Sequence, residues 1–145
     1  MRNLDFPERE VLMGFWIYML LMNLLITFTL IGFGKHFMRK APKEINEVFG
    51  YRTPMSMKNK DTWEFAHKYC GKIWYFCGVI SLPTTVILML LVIGKSMEVV
   101  GTVGAIITGA QLVFLIGSIF PTEIALRKNF DKNGKRKNGR SGNII

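Results

Sequence analysis

Arg52 is the side chain in this sequence with the most chemistry to offer. Its planar fork of donors matches a carboxylate or a phosphate with two parallel hydrogen bonds, and Asn46, Thr53 and Ser56 are nearby donors. The pattern points to anion recognition: a lipid phosphate, a lock onto neighbouring helices, or a peptide or partner protein. Catalysis has little support. Asp61 and Glu64 are better read as a helix N-cap and its capping-box acid than as an acid/base pair, and no GxSxG-type nucleophile motif occurs. His36 and His67 are the only histidines, and there is no CxxC or HxxxH spacing. Cys70 and Cys77 would lie about 10 Å apart along a helix, too far for a disulfide, so free thiols are expected. No metal and no cofactor is expected, and the chain reads as a non-enzyme.

These residues belong to segment 46–72, the only long polar stretch between three apolar runs. Residues 11–33, 73–93 and 99–120 contain no Asp, Glu, Lys, Arg or His. Roughly 20 such residues at a rise of about 1.5 Å cover the ~30 Å hydrocarbon core of a bilayer. Half of the 145 residues are hydrophobic, and three buried core helices in water would need a larger polar shell than the rest supplies. The expected fold is therefore all-α, a polytopic membrane protein of three transmembrane helices plus a short interfacial cytoplasmic segment. The membrane domain occupies about residues 1–128, and 129–145 form a basic disordered tail. The first apolar run is too long for a signal-peptide core and lacks a small-residue cleavage site, so it is expected to remain as a span.

Within 46–72, Ile45, Val48 and Phe49 have the spacing of a short interfacial helix ended by Gly50. Tyr51, Arg52, Thr53 and Pro54 should run extended. A helix starting at Asp61 then carries Trp63, Ala66, Tyr69 or Cys70, and Ile73 at three- to four-residue spacing, lying along the headgroups before it becomes the second span. Pro83 falls in the middle of that span and should kink it, with Ser81, Thr84 and Thr85 re-satisfying freed carbonyls.

Four polar residues inside the spans pair by spacing. Asn23 and Thr27 share one face of the first span, and Thr108 and Gln111 lie on nearby faces of the third. Gln111, the most polar of them, should hydrogen-bond to another helix, with Asn23 as its candidate partner; interhelical contact is favoured over substrate contact. Gly101, Ala105 and Gly109 form a small-residue stripe that serves either the bundle core or a homo-oligomer. Trp16 and Tyr18 suit the outer headgroup level. The absence of intramembrane charge argues against a proton-coupled pump.

The net charge of +9 is segregated. Residues 1–10 hold two Lys/Arg against three acids, 34–72 nine against four, 94–98 one of each, and 121–145 seven against two. The positive-inside rule then places the N-terminus outside, with 34–72 and the C-terminus in the cytoplasm of a bacterial cell membrane. Membrane flanks account for the basic residues, so anionic lipid headgroups rather than nucleic acid are the expected partners.

The run Asn46, Gly50, Tyr51, Arg52, Thr53, Ser56, followed by Trp63, Ala66, Tyr69 and Gly71 and then a span, resembles the SdpI-type family of bacterial membrane proteins. The resemblance covers about residues 20–127 and implies a C-terminal three-span module of that family, with His67 standing where an amide is expected. It further implies an immunity or resistance protein that protects a cell from a secreted toxin peptide. Two alternatives stand beside it: a scaffold that holds a cytoplasmic regulator at the membrane, and a transporter or transport accessory subunit.

Overall fold

The computed structural model describes residues 6–46, 48 and 50–137. Four helices follow in order: α1 (Phe6–Arg39), α2 (Lys60–Leu91), α3 (Met97–Gly117) and α4 (Ile119–Asn129). Three helical runs are long and apolar enough to cross a membrane: α1, α2, and the run Met97–Asn129 that α3 and α4 form together. Large apolar side chains cover the outside, Leu91 being 69% and Phe120 72% exposed. Such a surface suits hydrocarbon rather than water, and the chain is an all-α polytopic membrane protein, as its apolar runs lead one to expect. Segment 40–59 packs over one end of the bundle, the loop end. A tight turn joins α2 to α3 at the other, where Gly94 takes a positive φ of 70°.

The helices begin and end for local reasons, two of which correct the sequence reading. The N-cap of α2 is Asn59 rather than Asp61: its side chain accepts from the Thr62 amide at 2.9 Å, and the Thr62 hydroxyl faces the Asn59 amide at 3.1 Å. This amide–hydroxyl pair performs the reciprocal capping expected of Asp61 and Glu64. Asp61 instead sits in the first turn, where a negative charge favours the helix dipole, and Glu64 pairs with Lys68 one turn on. Where a short helix is expected near Ile45, none of the described residues 45, 46, 48 and 50 is helical. Asn46 accepts from the Val48 amide at 3.1 Å and donates to the Glu44 carbonyl at 3.1 Å, so its side chain outcompetes a helical turn. Phe49, the last residue of that expected helix, lies outside the described residues.

Glycines set the helix approach, though not those of the expected stripe. A Cβ on Gly34 would lie 2.5 Å from the Tyr75 nitrogen, and one on Gly71 would lie 2.9 Å from the Gly34 carbonyl oxygen. α1 and α2 therefore cross backbone to backbone. Gly109 has nothing within 4 Å of such a position and Gly101 only an ordinary contact with Phe15, while Gly104 abuts Met19 and Asn23 of α1. α3 thus turns Val100, Gly104, Ile107 and Gln111 inward, and the Gly101/Ala105/Gly109 stripe faces largely outward. Trp16 is buried against α2 near that helix's C-terminal end, its indole N–H donating to the Met89 carbonyl at 2.7 Å.

The polar tail begins later than residue 129. Phe130 bridges to Arg136 in antiparallel fashion, and the Asp131 carboxylate accepts from the Asn133 and Lys135 amides. Gly134 supplies the positive φ of 79° that the turn needs. This strap docks Phe130, 1% exposed, against Phe65. Residues 138–145 of the expected tail lie outside the described residues.

Candidate functional site

Two polar constellations emerge, one at the loop end and one inside the bundle. At the loop end the backbone of segment 50–56 is held from below by α2. Gly50 has a φ of 108°, and a Cβ there would collide with the His67 imidazole. Only glycine fits both demands. The Tyr51 amide donates to His67 Nε2 at 2.9 Å, while His67 Nδ1 lies 2.8 Å from the Trp63 carbonyl. Since Nε2 accepts, Nδ1 must carry the proton, and the ring is a neutral imidazole enclosed by Trp63 and Phe37. Burial pushes the His67 pKa below its ordinary value; the bond to the Trp63 carbonyl opposes that effect. His67 lies on the stretch of α2 that precedes the apolar run starting at Ile73.

The next residues close a compact turn. The Thr53 amide donates to the Ser56 hydroxyl at 2.9 Å, the Ser56 amide donates to Thr53 Oγ1 at 3.1 Å, and the Ser56 hydroxyl reaches the Tyr51 carbonyl. The turn is tied to α4 through Thr53 Oγ1, which donates to Glu123 at 3.0 Å, and through the Tyr51 hydroxyl, which donates to the Ile119 carbonyl. Burial first, and the Glu123 carboxylate second, push the Tyr51 phenol well above its usual range, so it stays a donor. Trp63 reaches back to the Pro42 carbonyl at 3.0 Å. Ala66 lies fully buried with Tyr51, Met55, Leu126 and Phe130, Tyr69 stacks on Phe65, and Gly71 makes the close crossing with Gly34.

Of the motif residues, Gly50, Tyr51, Thr53, Ser56, Trp63, Ala66 and Gly71 thus hold the loop end together. Asn46 shapes its own turn, and Tyr69 lies at the rim. Arg52 differs: it is exposed, and among the described residues no hydrogen bond or ion pair involves it. Its fork is thus left open to solvent or to an outside group. Sequence reasoning missed Glu123 and Ser118. Glu123 anchors Thr53 and also takes the Arg127 guanidinium at 2.9 Å, and the Ser118 hydroxyl accepts from Trp74 at 2.9 Å where α3 gives way to α4. The contacts that place them in the site, Thr53 to Glu123 and Trp74 to Ser118, span 70 and 44 residues, beyond the reach of any spacing rule.

Inside the bundle, Asn23, Thr27, Thr108 and Gln111 do come together. Gln111, 1% exposed, directs Nε2 to Thr27 Oγ1 at 2.9 Å, Ser81 Oγ at 3.1 Å, Thr85 Oγ1 at 3.3 Å and the Asn23 carbonyl at 3.4 Å. Thr108 donates to Asn23 Oδ1 at 3.0 Å. Two amide hydrogens face four acceptors, and Gln111 Oε1 has no partner among the described residues. One carboxamide therefore joins all three spans. Ser81 and Thr85, expected to re-satisfy carbonyls freed by Pro83, face Gln111 instead, and Thr84 alone bonds a carbonyl, that of Ile80.

A three-span helical bundle with a folded polar cap at one end and a neutral hydrogen-bond junction in its middle defines a polytopic membrane protein. The model of the SdpI/YfhL protein family matches residues 43–122, more than half of the chain, and the chain belongs to that family. The matched region holds the polar cap, α2 and α3. No curated protein and no solved structure matches the chain.

Proposed function

We propose that the chain is a non-enzymatic immunity protein of the bacterial cytoplasmic membrane, protecting its cell from a secreted toxin peptide. Family membership supports the class. The observation that carries the reading to a residue is the exposure of Arg52 in a motif whose neighbours are occupied with holding the cap. By the charge distribution the cap faces the cytoplasm, the far side from an arriving toxin. The bundle then meets the peptide from outside or within the bilayer, and the cap fixes the bundle. Expression in a toxin-sensitive strain tests this: survival should rise with at least one membrane-active peptide toxin, and no gain with any of them sinks the proposal. Arg52→Ala should accumulate normally, because it removes no hydrogen bond or ion pair among the described residues, yet protect less. A variant that fails to accumulate would assign Arg52 to anchoring instead.

The exposed fork also favours a second reading, in which the cap captures the acidic surface of a cytoplasmic regulator. That reading predicts a cytoplasmic protein that co-purifies with the wild-type chain and is lost from Arg52→Ala. Its absence with and without toxin argues against capture.

A further inference from the structure

Along the outer face of α1 runs an apolar groove of about 470 Å³, lined by Leu25, Phe28, Thr29, Gly32, Phe33 and His36. It exists because of Gly32, which has nothing within 4 Å of a would-be Cβ, between the exposed rings of Phe28 and Phe33. Thr29 offers no free proton to an occupant, its hydroxyl being bonded to the Leu25 carbonyl at 2.7 Å. Short of His36 at its loop end, the groove therefore calls for an apolar occupant. At about 1.5 Å per residue the lined stretch runs roughly 17 Å, close to half of the ~30 Å hydrocarbon thickness, which is the depth of one leaflet. At its loop end the groove opens among cations. Arg39 falls two turns beyond Gly32 on the same face of α1, Lys35 and Lys40 flank it, and residues 25–40 contain no acid.

We propose that this groove seats one acyl chain of an anionic phospholipid, whose headgroup phosphate meets Arg39 and Lys35. Charge selects this occupant over a second copy of the chain. Two copies in one membrane share an orientation, so a symmetric contact through this face would bring both sets of cations together with no acid between them. The seat differs from the general attraction of basic flanks for anionic lipid in having an address on one face of one helix, and it is independent of the immunity reading.

The full chain is reconstituted in nanodiscs of equal parts phosphatidylglycerol and phosphatidylcholine, and lipid retained after detergent extraction is identified by native mass spectrometry. Retained phosphatidylglycerol should exceed phosphatidylcholine severalfold. Arg39→Gln should lower that preference about fivefold, the equivalent of roughly 1 kcal/mol for one cation near the surface. Gly32→Leu fills the groove between Phe28 and Phe33, where a Cβ meets nothing within 4 Å, and should abolish retention while leaving Tm unchanged. Equal retention of the two lipids by the wild type, or undiminished phosphatidylglycerol on Gly32→Leu, overturns the proposal. A wild-type dimer that Gly32→Leu dissociates would overturn it in favour of a second copy.

Discussion

His67 joins the helix to the motif with a single protonation state. The ring must accept at Nε2 from Tyr51 and donate at Nδ1 to Trp63, so a second proton would set two donors against each other at 2.9 Å. Phe37 and Trp63 face it from α1 and from its own helix, Gly50 and Tyr51 from the cap, and none of these places a charge beside it. Its pKa in the folded chain is below the ordinary 6.5, so the unfolded chain binds the proton more readily. The resulting stability is complete above about pH 6.5 and is lost as pH falls from there toward the folded value. Thermal unfolding of detergent-solubilised protein should show a falling Tm between pH 6.5 and 5, above the range where most carboxylates titrate. His67→Gln keeps an acceptor near Nε2 and cannot charge, so its Tm should stay flat across that window; an equally steep fall would place the sensitivity elsewhere.

Among the helices, the sequence showed how many spans there are but not which faces meet. Span number follows from uncharged length, which is local. The facing of α1 and α3 depends on where Gln111 finds hydroxyls from two other helices, and no spacing rule within one helix encodes that. The small-residue stripe was misleading for this reason: Gly101, Ala105 and Gly109 repeat cleanly, yet Gly104 lies seven positions before Gln111 and is turned to α1 with it. Asn23, Thr27, Thr108 and Gln111 were legible, because any polar side chain in hydrocarbon needs a partner; Ser81 and Thr85 were read as helix-local and proved to be interhelical. Interhelical hydrogen bonds in membranes average about 0.6 kcal/mol, and hydroxyls can fall back on their own helix carbonyls. Gln111→Leu should therefore lower stability by only about 1–2 kcal/mol in an unfolding titration. A loss beyond about 4 kcal/mol would mean that the junction, rather than the glycine crossing of α1 with α2, holds the bundle.

For the molecule as a whole, the strap at residues 130–137 decides which ends share a side. Asn59 donates to the Gly134 carbonyl at 2.7 Å, Lys58 donates to the Lys132 carbonyl, and Phe130 fills a site among Tyr51, Met55, Ala66, Cys70 and Leu126. The strap was hidden in the sequence because its Lys, Asn and Gly content reads as a solvated tail, whereas Asp131 and Gly134 make it a turn and one phenylalanine anchors it. Phe130→Ala should cost about 3–5 kcal/mol, the usual loss for a fully buried phenylalanine, measurable as reduced accumulation and a lower Tm. Since the strap lies on the cap, residue 137 and the motif must occupy the same side of the membrane, with the 92–96 turn opposite. The orientation proposed from the charge distribution makes that shared side the cytoplasm. A fluorescent-protein fusion after Lys137 should then glow, and alkaline phosphatase inserted after Gly94 should be active. The reverse pair of results would put Arg52 outside the cell, where it would meet an arriving toxin first, and would exchange the roles proposed for the cap and the turn.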